Sequence, residues 1–334
     1  MQYSTFAAID IGSYDVILEI FEISKKQGIR SVDKICHRME LGKDTYTLGK
    51  IRPEMEEELC RVLADFVRIM EGYRVDDYRA TASSAISEAS NSLYVLGKIH
   101  QLTGLSVTVL SNSEQRFLSY KALAAMEDNF NKIIEKGTAI LDLDGGSFQI
   151  SLFDKDALVT TQNIRMGSLR IRERLAGIQS ETEHYEEMVE ELIWNEVSSF
   201  KKMYLKDRKI ENIMLIGDVF TDSVYQNIEE KTTKIISREN FNTWYEKIIR
   251  QSPMELAVKL GIPLENASLM YPSAVIYKCL IDMMGAEHIW IPGVHMTRGI
   301  AYEYAEQMKL LKGGHNFEND ILMADKKYTE NGTQ

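Results

Sequence analysis

Cysteine is nearly absent. Cys36, Cys60 and Cys279 stand far apart in 334 residues, with no CxxC motif and no histidine at ligand spacing. That excludes a disulfide framework and a zinc site, and it fits a reducing cytosol, so the chain is expected to be cytoplasmic. The histidines (His37, His100, His184, His288, His295 and His315) contain no i,i+4 pair on which a helix could hold zinc. No apolar run reaches the ~18 residues a membrane span needs, and Asp10 interrupts the N-terminal apolar stretch where a secretory signal would be uniform. Positive charge is in deficit: 39 Lys and Arg face 50 Asp and Glu, a net charge of −11. Such a chain repels phosphate at long range, so neither nucleic acid nor an anionic membrane is expected as a partner, although a local basic pocket stays open. A 44% hydrophobic and 27% charged composition is that of a globular protein with a large core. The length suggests two domains.

The pattern along the chain is α/β. Ser4–Gly12 is a short apolar run ending in Asp-x-Gly, as a buried strand entering a tight turn would be. Val16–Ile23 reads as the return strand of a hairpin, and Ile29–Leu41 as a third strand closed by Gly42. Pro53 opens a helix through Tyr73, with Leu59, Val62, Leu63, Phe66, Ile69 and Met70 on its apolar face. Strands follow at Tyr78–Ala82 and Leu105–Leu110, and helices at Leu93–Leu102 and from Ser113, a candidate cap, to Asp128. After Gly137 the opening pattern returns: a buried strand at Thr138–Leu143, an acidic glycine-rich turn, and strands at Phe148–Phe153 and Ala157–Asn163. This is a weak internal repeat. Downstream come a helix over Glu181–Tyr204, a strand over Asn212–Ile216, and a mainly helical remainder ending in Met296–Lys312. Domains are therefore expected at residues 1–130 and 131–295, with the helix at 296–312 packing back toward the first and a mobile tail at 313–334.

Two turns carry the chemical signal: Asp10-Ile11-Gly12-Ser13 and Asp142-Leu143-Asp144-Gly145-Gly146-Ser147. Glycines let backbone N–H groups approach an anion, and an Asp at a strand end can hold Mg²⁺ directly or through water. Facing one another across a cleft, two such turns would hold a phosphate chain and its metal from both sides. Either turn alone also reads as an ordinary β-turn.

The chain as a whole resembles the exopolyphosphatase / guanosine pentaphosphate phosphohydrolase family, within the actin-like and sugar-kinase-like ATPase fold. The resemblance rests on segments in order from residue 3 to residue 308. Ala7–Ser13 looks like the first phosphate loop, and Met39–Ile51 like the strand and turn that follow. Thr81–Asn91 is similar to the strand-to-helix segment of the first domain, and Val107–Tyr120 to the segment carrying the family's catalytic glutamate. Ile140–Ser147 looks like the second phosphate loop. Arg165–Leu175 and Met270–Gly293 resemble later segments of the second domain. The resemblance implies two ribonuclease-H-like domains around a central cleft. It further implies a glutamate that activates water, Mg²⁺ on the phosphate oxygens, and backbone N–H groups that cradle the phosphate.

Several active positions depart from the family pattern. Tyr14 stands for an asparagine and Ser87 for an arginine. Gln115 stands where the second of two adjacent acids supplies the base, and an amide is no proton acceptor. In the second loop Asp144 replaces a glycine, Phe148 a threonine and Gln149 a glutamate. The third loop, Gly217-Asp218-Val219-Phe220-Thr221, is not glycine-rich, and the usual Leu-Arg-Glu-Gly reads Met296-Thr297-Arg298-Gly299.

The expected function is Mg²⁺-dependent release of terminal phosphate from polyphosphate or guanosine pentaphosphate. Asp10 and Asp142 would hold the metal, while Gly12, Ser13, Gly145, Gly146 and Ser147 hold phosphate. Glu114 would substitute as base beside Gln115. The alternative is a binding or regulatory protein that has lost the chemistry, which Gln115 and the altered loops favour. A sugar-kinase-type ATPase is the weaker third reading, lacking a sugar-site motif and an adenosine-binding Gly-Gly pair after Ile216. A homodimer is among the assemblies the sequence leaves open.

Overall fold

A computed structural model of the chain describes residues 3–126, 130–176, 185–206, 208–217, 219–227 and 235–310. The tail expected at 313–334 and Asp218 of the third loop lie outside them. The chain divides into two compact units, one running to Ala125 and resuming at His295, the other running from Met126 to Val294.

The first unit is built on β1 (Ser4–Ile11), β2 (Asp15–Ser24), β3 (Gly28–Arg38), β4 (Asp77–Ala82) and β5 (Val107–Val109), in the order β3-β2-β1-β4-β5. The first three form an antiparallel meander, whereas β4 and β5 run parallel to β1. Helices cover both faces, which is why β1 and β2 read as nearly continuous apolar runs. On one face Leu59, Leu63 and Phe66 of α2 (Pro53–Tyr73) and Ile99 of α4 (Ser92–Thr103) pack on Ile9, Ile11 and Leu18. On the other, Leu118 of α5 (Asn112–Met126) and Ile300 of the C-terminal helix (Met296–Gln307) pack with Phe6 and Phe21. The Phe6 and Tyr304 rings stack there at 4.0 Å, and Arg79–Glu303 and Lys121–Glu306 ion pairs tie the helix down. Gly299 permits this docking: a Cβ there would meet the Leu118 carbonyl at 2.2 Å.

Two readings of this unit need correction. The third strand ends at Arg38, and residues read as strand and turn form α1 (Leu41–Leu48) instead. Gly42, Thr45 and Thr47 are poor helix formers, so the helix is set by anchoring rather than propensity. Buried Asp44 accepts the Arg52 N–H at 2.9 Å, Thr45 Oγ1 donates to the Ala85 carbonyl at 2.7 Å, and Gly49 (φ +71°) closes the end. The cap of α5 is Ser111, not Ser113, because only Ser111 lies three residues before Glu114 and can make the reciprocal pair.

The second unit repeats the plan. Its strands are β6 (Thr138–Leu143), β7 (Phe148–Asp154), β8 (Ala157–Ile164), β9 (Asn212–Ile216), β10 (Ile235–Ser237) and β11 (His288–Trp290), ordered β10-β11-β9-β6-β7-β8. The meander β6-β7-β8 stands as β1-β2-β3 does, and β9 and β11 continue in parallel as β4 and β5 do. The weak sequence repeat is thus a repeat of topology, and both units have the ribonuclease-H-like strand order. The short β10 is an addition at the edge. The helices are α6 (Phe130–Ile134), α7 (Ser168–Leu175), α8 (Tyr185–Phe200, continued by a π-helical turn over Lys201–Leu205), α9 (Val219–Asn227), α10 (Arg238–Ile249), α11 (Pro253–Leu260) and α12 (Leu264–Met284); the C-terminal helix is α13. The core helix is α12, whose Tyr277 packs its ring against Phe220 and donates its hydroxyl to the Ile216 carbonyl at 3.0 Å. Among the described residues no helix is long and apolar enough to cross a membrane.

Local desolvation, helped by the Asp15 carboxylate 3.7 Å from its sulfur, pushes the Cys36 thiol up to about 11, although the residue as a whole stays exposed. Burial, helped by Glu190 and Asp282, does the same to Cys279. The thiolate is the reactive form. The folded chain should therefore alkylate at Cys279 far more slowly at pH 7.5 than the urea-unfolded chain, as followed by mass spectrometry. Equal rates would contradict the burial argument.

Candidate phosphate site

Parallel strands place their chain ends on one sheet edge, the usual address of ligands in α/β folds. In the first unit the ends of β1, β4 and β5 bring Asp10–Ser13, Ser83–Ser84 and Ser111–Gln115 to that edge. The first loop turns tightly: the Gly12 N–H donates to the Asp15 carbonyl at 2.9 Å, and a Cβ on Gly12 would meet Asp15 Oδ1 at 2.9 Å. Its carbonyls are held from one side, Ser13 O by the Gly42 N–H at 2.7 Å and Tyr14 O by the Met39 N–H at 3.1 Å. A trans peptide points its N–H opposite to its C=O, so the N–H groups of Tyr14 and Asp15 face away from Gly42 and Met39 respectively. Ser13 is fully buried, with Oγ 2.8 Å from the Tyr46 hydroxyl, which lies 2.8 Å from Ser84 Oγ in turn. Asp10 Oδ1 accepts from Thr81 Oγ1 at 3.4 Å.

The second loop has the same construction. Asp144 N–H donates to the Ser147 carbonyl at 2.9 Å. Three successive carbonyls are then taken by α7: Asp144 O by the Ser168 N–H at 3.2 Å, Gly145 O by the Arg170 N–H at 2.9 Å, and Gly146 O by Arg170 Nε at 2.9 Å. The N–H groups of Gly145, Gly146 and Ser147 are consequently turned away from α7 together, as an array of anion donors. Gly167 makes the approach of α7 possible, since a Cβ there would lie 2.2 Å from the Asp144 carbonyl oxygen. Of the arginines around 165–174, then, Arg170 holds the loop. Arg172 pairs with Glu173 at 2.6 Å and donates to Ser268 Oγ at 2.7 Å. Gly217, all that the third loop keeps, passes against this site at φ +109°; a Cβ would meet Leu143 O at 2.3 Å and Asp142 Oδ1 at 2.7 Å.

The fit of Mg²⁺ can be judged on the sheet itself. Asp142 on β6 pairs with Gln149 on β7, and Gln149 with Asn163 on β8, so the three side chains share one face in a single cross-strand row. Gln149 Oε1 and Asn163 Oδ1 are buried without a hydrogen-bond partner. One carboxylate with two amide oxygens suits a hard cation that takes its remaining ligands from water and phosphate. Among the described residues no cluster of three His, Cys, Asp or Glu is placed to hold a metal, so the neutral oxygens matter. Asn163 does not stand out in the sequence, and Arg170 is there one of four arginines between 165 and 174. Only the strand register and the α7 docking give them their places.

Glu114 is engaged as a cap. Its Oε2 accepts the Ser111 N–H at 2.8 Å and the Ser111 hydroxyl at 2.7 Å. The Ser111 backbone bond first, then its hydroxyl, and to a lesser degree the Arg79 charge hold the Glu114 carboxyl below the usual carboxylate range. A carboxylate so held is a weaker proton acceptor. Gln115, the next residue of α5, is buried. The cap predicts a stability effect. Ser111→Ala should cost about 1 kcal/mol at pH 7. A depressed folded pKa gives stability that is present above the unfolded pKa and lost as pH falls through the folded one. The gap to the natural chain should therefore narrow below the ordinary carboxylate range. Urea unfolding at pH 7 and pH 3 checks this, and a gap that widens in acid would contradict it.

Comparison with known proteins places the fold and the lineage. A 21% identity over 310 residues relates the chain to the bifunctional 3-dehydroquinate synthase/phosphatase of Fusobacterium nucleatum, covering 85% of this chain and 44% of that one. The Exopolyphosphatase 1 of Mycobacterium leprae is 25% identical over 144 residues, 43% of this chain and 41% of that one. The chain thus spans less than half the length of these curated relatives. Among solved structures, an exopolyphosphatase from Cytophaga hutchinsonii matches with a TM-score of 0.81 at 18% identity, over 92% of this chain and 100% of that one. The Aquifex aeolicus member of the Ppx/GppA family matches at 0.74 and 17%, over 92% and 99%. These neighbours share the two-domain, actin-like fold. The Ppx/GppA phosphatase family model matches residues 19–308, and with that span the chain belongs to the Ppx/GppA phosphatase family.

Proposed function

We propose that the chain is an exopolyphosphatase-like phosphohydrolase that releases terminal phosphate from polyphosphate or guanosine pentaphosphate with Mg²⁺, slowed by the loss of its base. The observation that carries this reading is the second loop. Three N–H groups turn one way at the end of β6, the first of them shared with Asp144 Oδ1, beside the oxygen row Asp142, Gln149 and Asn163. The loop's N–H groups would take phosphate oxygens, and the row would take the cation that neutralises them. Asp10, Gly12 and Ser13 would play the matching part in the first unit, although the Gly12 N–H already donates to the Asp15 carbonyl and the Ser13 hydroxyl shares a hydrogen bond with Tyr46.

A second reading, a phosphate-binding or regulatory protein without turnover, is favoured by one specific observation. Gln115 replaces the base, and its neighbour Glu114 is committed to Ser111. Both readings predict Mg²⁺-dependent binding. A ligand that binds only the folded chain stabilises it by ~2.7 kcal/mol at a hundredfold excess over Kd. Melting curves with polyphosphate, guanosine pentaphosphate or ATP, each with and without Mg²⁺, should rise for the first two with metal. Flat curves in all six conditions would refute phosphate binding.

A further inference from the structure

The two loops match position by position: Asp10 with Asp142, Gly12 with Asp144, and Asp15 with Ser147. In both, the N–H of the third residue donates to the carbonyl of the sixth at 2.9 Å. One loop has glycine at that third position and the other has a carboxylate. That carboxylate is turned onto its own loop, since Asp144 Oδ1 accepts the Gly145 N–H at 2.6 Å. Gly145 supplies the first of the three N–H groups that α7 turns outward by holding the carbonyls behind them. An N–H···carboxylate bond is charge-assisted, and it is the bond a phosphate oxygen would make at the same donor.

We propose that Asp144 is a built-in anion at the head of the second loop, and that it sets the charge state of the phosphate the loop accepts. This rests on the reading of that loop as a phosphate site. A metal-free polyphosphate end meets a donor already taken and a negative charge beside it. A phosphate whose charge is covered by a divalent cation meets neither obstacle in full, because the cation can lie between it and Asp144. The chain would therefore discriminate between free and cation-complexed phosphate.

The test is calorimetric titration of inorganic tripolyphosphate into the natural chain, Asp144→Gly and Asp144→Asn, with and without Mg²⁺. The asparagine keeps the side-chain shape and removes the charge, so it guards against a loop that glycine merely loosens. Unchanged melting temperatures would show that all three chains fold. Without metal, both variants should bind at least about tenfold tighter than the natural chain. Adding Mg²⁺ should tighten the natural chain most and close the gap. Equal metal-free affinities in all three chains would overturn the role of Asp144 alone. Binding absent from all three, with and without metal, would overturn both this role and the phosphate-site reading.

Discussion

Gln115→Glu is expected to raise the rate of phosphate release from polyphosphate by about 10²–10⁴-fold, the usual contribution of a positioned general base. The substitution is nearly isosteric and returns a proton acceptor to α5 next to Ser111–Glu114. The natural amide cannot take a proton from water, and Glu114 is held by the Ser111 N–H and hydroxyl. Gln115 is 9% exposed, so the new carboxylate will be partly desolvated, which raises its pKa toward the working pH. The paired control is Glu114→Gln, expected to leave the rate almost unchanged. If that change abolishes release while Gln115→Glu does nothing, Glu114 is the base despite its cap.

Gly167→Ala should be strongly damaging to the second unit. Its Cβ would sit 2.2 Å from Asp144 O and 2.4 Å from the Gly145 carbonyl carbon and oxygen, all backbone atoms. Neither α7 nor the loop can yield without breaking the bonds from Ser168 N, Arg170 N and Arg170 Nε. Overpacking of this kind costs about 1–3 kcal/mol, and each lost hydrogen bond adds about 1 kcal/mol. A loss of about 3 kcal/mol or more is expected, with phosphate binding lost as the N–H array is splayed. Gly97→Ala is the contrast. It lies within α4 with nothing within 4 Å of the added Cβ, so it should gain about 0.5–1 kcal/mol from helix propensity. Urea unfolding of the two variants separates a steric cause from a general intolerance of alanine. Similar shifts in both would contradict the packing account.

Much of the fold was legible because its signals are local and periodic. Leu59, Leu63 and Phe66 repeat at helical spacing behind Pro53, and helix α2 runs Pro53–Tyr73. Thr138–Leu143 running into Asp144-Gly145-Gly146-Ser147 announced both β6 and the turn after it. Helix α1 was not legible, because Thr45 and Asp44 stabilise it through Ala85 and Arg52, contacts that sequence spacing does not show. The site followed the same division. The glycines and aspartates of the loops could be read directly. That Glu114 serves as a cap depended on which serine reaches it. Asn163 entered the oxygen row only through a register running across three strands. Arg170 holds the loop through two carbonyls, contacts that sequence spacing does not show.

We propose slow phosphate turnover at a site that has lost its usual base to Gln115. One measurement bears on it most directly: phosphate release from polyphosphate and from guanosine pentaphosphate, with and without Mg²⁺, by the natural chain and by Gln115→Glu. Slow, Mg²⁺-requiring release is expected of the natural chain, and release faster by about 10²–10⁴-fold of the variant. No release from either substrate by either chain, under conditions where the ligand raises the melting temperature, would contradict it and leave a protein that binds phosphate without cleaving it.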